Sequence, residues 1–404
     1  MKKIISLILA AVLLSTLGVS ASQEAVTVSS ECSIEDINEP LESVTVNAAI
    51  GQTLDIKAKS VILMEPYTGT VLYENNSDEA LPPASITKIM SLLLVMEAID
   101  RGDISLETVV TASEHACSMG GSQIWLEPGE TMTVDELLKA AVIASANDAC
   151  VALGELIAGS EEGFVAMMND RAVELGMTKT NFVNCTGLDA EGHLTSAHDV
   201  AIMSGELIKH SLIKDYSTVW MDSLRDGKSE LVNTNKLVRF YEGTTGLKTG
   251  TTSTAKYCLS ATAQRNGMEL VAVVMAGESS NDRFNGAKKL LDYGFANYSF
   301  ESLGAELSEK EISVSKGTVK KVELCTEENV SILLPKNSKE EITRTTEWKP
   351  DITAPIKKGE VLGYVNIYVG DNQVGQIKIT AKSEVKRLTP WVTAGWILKE
   401  MFKL

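Results

Sequence analysis

Apolar and polar positions recur along the chain in two periods, and the points where the period changes divide it. Two short β-rich runs, Ser60-Val-Ile-Leu-Met64 and Thr70-Val-Leu-Tyr73, flank a turn built on Pro66 and Gly69 and predict a hairpin. Pro82-Pro83 interrupts the chain, and Ile86 to Ile99 is apolar enough for a core helix. Ser85 then sits at or near a helix N-terminus, where backbone N–H groups and the positive dipole end are unpaired. Helical spacing returns over residues 133–158 and 162–175, with Gly176 as the expected C-cap. Ser196-Ala-His-Asp199 resembles a capping box with Asp in place of Glu, opening a helix through Ile208. The period then shortens. Residues 246–249, 255–263 and 268–276 read as strands, Asn266-Gly267 is a hairpin turn, and residues 288–293 begin a last short helix. Helices lying between an N-terminal hairpin and a later antiparallel one predict an α/β (α+β) domain over residues 51–298.

From about residue 299 to 388 short Val/Ile runs (residues 319–324, 330–334, 361–368 and 374–379) alternate with Gly, Asn, Asp and Pro turns, the pattern of a small all-β sandwich. Residues 389–404 predict an amphipathic helix. Trp391, Ala394, Gly395, Leu398, Met401 and Phe402 share one face, with Lys399, Glu400 and Lys403 opposite, although Val392 and Trp396 intrude on the polar side. Such a helix lies in a membrane interface; the competing reading docks it on its own protein or on a second copy. At the other end, Lys2-Lys3, the apolar stretch Ile4 to Leu17 and Val19-Ser20-Ala21 read as a secretory signal peptide over residues 1–21, or alternatively as an uncleaved anchor. Residues 22–50 are polar, acidic and aperiodic, a flexible lead-in. No later run of about twenty apolar residues is present.

Composition narrows the function classes. The chain of 404 residues allows two or three domains, and its net charge of -17, with no basic block, argues against nucleic-acid binding. The 6 cysteines of an exported chain would permit disulfides, but they are scattered, with no C-x-x-C pair and no metal-ligand spacing. Cys150 and Cys258 read as small buried hydrophobes. His115, His193, His198 and His210 form no HExxH, and no G-x-S-x-G elbow exists, so neither a metal site nor a Ser-His-Asp site is expected, and no cofactor is called for.

Three ordered fragments carry the chemistry. The first is Ser85-Ile86-Thr87-Lys88. A serine hydroxyl needs a nearby base to act as a nucleophile, and Lys88, three residues along the same helical face, can reach it. To be that base Lys88 must be a neutral amine, which burial or a second cation such as Lys248 would favour. Alone, S-x-x-K would read as a surface lysine on an ordinary helix; its partners reverse this. Ser145-Ala146-Asn147 interrupts an apolar stretch and would bury unpaired hydroxyl and amide groups unless it lined a site. There Ser145 would relay protons between Lys88 and the leaving group, and Asn147 would hold a substrate amide. Lys248-Thr249-Gly250 ends a predicted strand: its lysine supplies positive charge, its threonine hydroxyl can bind a carboxylate, and its glycine allows a substrate backbone to approach. It is not a phosphate loop, because Leu247 separates Gly246 from Lys248.

With these motifs in this order, the chain resembles the low-molecular-weight penicillin-binding proteins, the serine D-alanyl-D-alanine carboxypeptidases. The surroundings agree: Leu81-Pro-Pro-Ala-Ser-Ile-Thr-Lys-Ile-Met90, Ala144-Ser-Ala-Asn-Asp148, Phe164 through Gly176, and Asn184-Cys-Thr-Gly-Leu188. The resemblance implies a β-lactamase/transpeptidase-like catalytic domain and removal of the terminal D-Ala from peptidoglycan stem peptides through an acyl-enzyme on Ser85. It implies penicillins as covalent inhibitors, and a protein held at the outer face of the cytoplasmic membrane by its C-terminal helix. It also implies an oxyanion hole from the backbone N–H groups of Ser85 and Thr251, each worth about 2.7–4 kcal/mol to the barrier. Arg283 matches an arginine that helps bind the substrate carboxylate. Two departures stand out: Lys256 where relatives carry Gly, and Thr251 where many carry His. A β-lactamase is the nearest alternative, but no E-x-x-L-N-like segment supplies a deacylating Glu after Asn147. A D,D-endopeptidase on the same fold and a catalytically silent peptidoglycan-binding protein are the others; the intact motifs argue against the silent one.

Overall fold

The structure is a computed structural model describing residues 26–27, 51, 53–303, 307, 309–326, 330–336, 341–392 and 394. The predicted signal peptide, nearly all of the lead-in and most of the tail helix lie outside the described residues. The chain forms two compact units, the first chiefly residues 54–291 and the second from residue 292 onward.

In the first unit the predicted hairpin is present as β1 (Ser60–Glu65) and β2 (Thr70–Asn75). The later strands are β3 (Thr244–Thr252), β4 (Lys256–Arg265) and β5 (Met268–Gly277). They join one sheet in the order β2-β1-β5-β4-β3. Val271 and Val273 of β5 face Met64 and Ile62 of β1 in antiparallel register. Every residue of β5 is buried, as a central strand covered on both faces requires. The turn into β5 has Asn266 at φ 51° and Gly267 at φ 81°, both left-handed, which is what a two-residue hairpin of this twist demands.

A short 3-10 turn, Ala84–Thr87, leads into α1 (Lys88–Asp100). All positions of α1 from Lys88 to Met96 are buried, so it is a core helix rather than an amphipathic surface one. The predicted helix over residues 133–158 is divided into α2 (Val134–Ile143) and α3 (Asn147–Ala158). Thr133 and Glu136 start α2 as a full capping box. The break falls at Ser145, whose φ of 63° is left-handed and cannot continue a right-handed helix. α4 (Glu161–Glu174) ends as expected at Gly176, φ 76°.

Ser196 caps α5 (Ala197–Leu207) by accepting from Asp199 N, but Asp199 does not return the bond. Its carboxylate takes Lys179 N and the Thr180 hydroxyl instead, so the predicted box is half a box. The final helix, α6, is longer than the sequence pattern indicates: it runs Ser280–Asn297, its first turn held by Ser279 Oγ accepting from Asp282 N at 3.1 Å. Phe284, Ala287, Leu290 and Leu291 are fully buried on one face, an apolar stripe masked in the sequence by weak helix formers at residues 280–286.

From Tyr298 to Ala381 the second unit is built of β-strands. β6 (Tyr298–Leu303) pairs with β9 (Val330–Pro335). A five-stranded sheet has the order β7 (Glu311–Ser313), β8 (Lys321–Thr326), β12 (Asn372–Ala381), β11 (Val361–Val369), β10 (Ile342–Trp348). Leu334 of the small sheet packs with Val365, Ile367, Val369, Ile377 and Ile379 of the large one, the two-layer core of the predicted sandwich. β10 escaped the sequence pattern because it is an edge strand with Thr, Arg, Thr, Thr and Glu exposed between its end residues. Among the described residues no helix is long and apolar enough to cross a membrane. Pro390–Val392 is helical and Trp391 is 87% exposed.

Candidate active site

The 3-10 turn before α1 fixes the spacing of the first motif. Ile86 N donates to Pro83 O at 3.3 Å, and Ala84 adopts a left-handed φ of 48°, which turns the chain out of the Pro82-Pro83 segment. Ser85 is half-buried on this turn and Lys88 is fully buried one turn on. Lys88 Nζ donates to Ser85 Oγ at 2.9 Å, to the Thr186 carbonyl at 3.0 Å and to Ser145 Oγ at 3.5 Å. The break between α2 and α3 therefore has a purpose: the left-handed Ser145 brings its hydroxyl to the same amine.

The Thr186 carbonyl is held by its own loop. Asn184 Oδ1 accepts from Thr186 N at 3.2 Å and Gly187 N at 2.7 Å, an Asx turn. Gly187 lies against the turn at Ala84 and Ser85 with φ 89°; a Cβ there would meet Ala84 O at 1.8 Å.

Asn147 opens α3, 3% exposed. Its Nδ2 donates to Gly120 O at 2.6 Å and its backbone N to Ser122 O at 2.7 Å. Its Oδ1 is buried without a hydrogen-bond partner in the protein. A buried acceptor left unpaired is costly unless a ligand fills it.

On β3, Lys248 is 1% exposed and donates to Thr249 O at 3.0 Å, while Thr249 Oγ1 donates to Thr234 Oγ1 at 2.6 Å. Gly250 also has a task within the fold. A Cβ at this position would stand 2.9 Å from both Pro83 O and Ser85 N, so the glycine lets β3 close on the backbone of the Ser85 turn. Arg283, from α6, is 1% exposed and sits behind the strand. Its Nη1 donates to Thr251 Oγ1 at 2.8 Å and Gly250 O at 3.1 Å, so its charge reaches the site through Thr251.

These elements leave a cleft of about 330 Å³ lined by Ser85, Gly121, Ser122, Asn147, Thr251 and Tyr257 among others. Of the sequence-predicted residues, Ser85, Asn147 and Thr251 face this cleft. Lys88 and Ser145 are joined to Ser85 through Lys88 Nζ, and Arg283 buttresses the strand. Lys256, φ 59°, pairs with Thr252 where β4 begins, a left-handed position that explains why glycine suits it.

Several contributors were missed by sequence reasoning. Thr186, acting through its carbonyl, and Thr234 carry no side-chain motif. His193 is the most informative. Its Nδ1 accepts from Val183 N at 2.9 Å, so its Nε2 carries the proton and donates to Thr87 Oγ1 at 2.8 Å, in the segment between Ser85 and Lys88. Burial lowers its pKa from 6.5 to about 4 and keeps it neutral. The other histidines sit elsewhere, against Glu161, Asp78 and Asp100. Cys150 and Cys258 are buried as expected, and burial pushes the Cys258 thiol up to about 11.

Comparison with known proteins gives the same answer from an independent direction. The family model described as D-alanyl-D-alanine carboxypeptidase matches residues 44–279, and that of the penicillin-binding protein 5 C-terminal domain matches residues 295–387. The D-alanyl-D-alanine carboxypeptidase DacF of Bacillus subtilis is 46% identical over 336 residues, 82% of this chain and 86% of that protein. Penicillin binding protein 5 of Haemophilus influenzae superposes with a TM-score of 0.71 at 30% identity, covering 83% of this chain and 99% of that one. Penicillin-binding protein D2 of Listeria monocytogenes, solved in its ampicillin-bound form, covers 60% of this chain and 100% of its own, with a TM-score of 0.55 and 31% identity.

Proposed function

The chain belongs to the D-alanyl-D-alanine carboxypeptidases of the peptidase S11 family and is a serine-type, penicillin-binding hydrolase of that class; from this premise we propose how its own residues carry the reaction. Ser85 is the nucleophile. The observation that carries this is the 2.9 Å contact between Lys88 Nζ and Ser85 Oγ. As the free amine, Lys88 takes the hydroxyl proton while Oγ attacks the carbonyl of the penultimate D-Ala of a peptidoglycan stem peptide. The backbone N–H groups of Ser85 and Thr251 receive the developing oxyanion. Ser145, 3.5 Å from the same Nζ, passes the proton to the departing D-Ala amine. Asn147 Oδ1 accepts an N–H of the substrate backbone, a role supported by its burial without a protein partner. Lys248, Thr249 and Thr251, with Arg283 behind them, receive the terminal carboxylate. Water then hydrolyses the acyl-enzyme. Penicillins enter the same path and acylate Ser85.

The sequence supports export through residues 1–21 and attachment to the outer face of the cytoplasmic membrane through the tail, whose exposed Trp391 fits an interfacial side chain. Net acidity would make that attachment depend on apolar burial more than on anionic lipid.

Incubation with a pentapeptide ending in D-Ala-D-Ala, followed by mass measurement, tests the activity. Loss of one alanine is expected. Cleavage confined to cross-linked dimers would make the enzyme an endopeptidase, and rapid repeated hydrolysis of penicillin would make it a β-lactamase.

A further inference from the structure

Asp148 follows Asn147 in the chain and has no part in the steps above. It is a fully buried carboxylate. Its Oδ2 accepts from Ile124 N and Leu126 N, both at 3.1 Å, and its Oδ1 from Ile124 N at 3.2 Å and Ala149 N at 2.9 Å. Burial raises its pKa and these N–H donors pull it back. A charge is costly to bury, and this one is spent on two backbone amides of a loop rather than on a cation.

That loop is the one that holds Asn147. Gly120 O takes the Asn147 Nδ2 and Ser122 O takes its backbone N, while Gly121 and Ser122 line the cleft. Arg225 grips the same segment from the far side, donating to Ile124 O at 2.8 Å and Trp125 O at 3.3 Å. The Asn147 carboxamide has two orientations, and the Gly120 carbonyl selects the one that gives Nδ2 to the loop and leaves Oδ1 to a ligand. The fit is close: a Cβ on Gly121 would stand 2.8 Å from Nδ2.

We infer that Asp148 is a positioning residue for the hydrolysis: by tying the loop of residues 120–126 to the start of α3, it fixes the Asn147 carboxamide with its acceptor oxygen toward the substrate amide. This rests on the proposed role of Asn147. Asp148 touches no substrate atom; it acts through the loop and through Asn147.

A double-mutant cycle separates positioning from mere support of the fold. Asp148→Asn, Asn147→Ala and the double variant are compared in kcat/KM for D-Ala release and in the rate of penicillin acylation. The folded fraction is counted by the final stoichiometry of acylation. Displacing the carboxamide by an ångström costs about 10²-fold, so Asp148→Asn lowers both rates by that order. In the Asn147→Ala background the same change costs no more than about twofold, because the group it positions is gone. If Asp148→Asn does not fold, Asp148→Glu, which keeps the carboxylate but shifts its oxygens away from the Ile124 and Leu126 amides, carries the same cycle; its loss also vanishes in the Asn147→Ala background. Equal losses in both backgrounds, or no loss in either, overturn the inference. Asn147→Ala with wild-type rates would overturn the reading of Asn147 itself, a distinct result.

Discussion

Acid should destabilise this enzyme through His193. The ring is 3% exposed, accepts from Val183 N and donates to Thr87, so the folded state holds it neutral with a pKa of about 4 against 6.5 in an exposed chain. Between those values the unfolded chain binds more protons than the folded one, so stability rises with pH, is complete above about 6.5, and falls as the pH drops toward 4. The drop from 6.5 to about 4 corresponds to about 3 kcal/mol at the acid limit, of which about 2 kcal/mol is lost by about pH 5. Urea unfolding of the wild type and of His193→Gln, followed at about pH 7.5 and about pH 5, isolates the term, because the variant keeps a donor toward Thr87 but cannot titrate. The variant is less stable at neutral pH, yet the wild type loses about 2 kcal/mol more than the variant on acidification. Parallel losses in the two proteins would refute the reasoning, as would a wild type that gains stability in acid.

Other perturbations address the nucleophile and its frame. Lys88→Arg forces a larger, permanently charged group into a fully buried position where a free amine is needed, so stopped-flow acylation by penicillin should slow by about 10²–10⁴-fold per folded molecule, and the melting curve should show a loss of about 1–3 kcal/mol. Gly250→Ala drives a Cβ against Pro83 O and Ser85 N, and calorimetry should show a loss of about 1–3 kcal/mol together with a large fall in D-Ala release.

The parts of this molecule legible in sequence are those in which side-chain identity carries the message. Ser85 and Lys88 meet because positions three apart share a helical face, and Asn266-Gly267 forms its turn because both residues tolerate left-handed backbone. Interactions made by backbone atoms were invisible: the Thr186 carbonyl on Lys88, the Gly120 carbonyl on Asn147 and the loop amides on Asp148 leave no residue-type signature. Gly250 shows a subtler gap. Its smallness was evident, but its packing against the Ser85 turn depends on how β3 docks against residues 83–85. Asp199 likewise looked like half of a local cap, and its carboxylate goes to Lys179 and Thr180, twenty residues upstream in the fold's own order rather than back to Ser196.

In the proposed mechanism Ser85, activated by Lys88, is the residue that becomes acylated. Intact-mass measurement after exposure to penicillin, followed by peptide mapping, tests it most directly. The account predicts one adduct per chain on the peptide containing Ser85, absent in Ser85→Ala. An adduct on any other residue, or one that persists in Ser85→Ala, would contradict it.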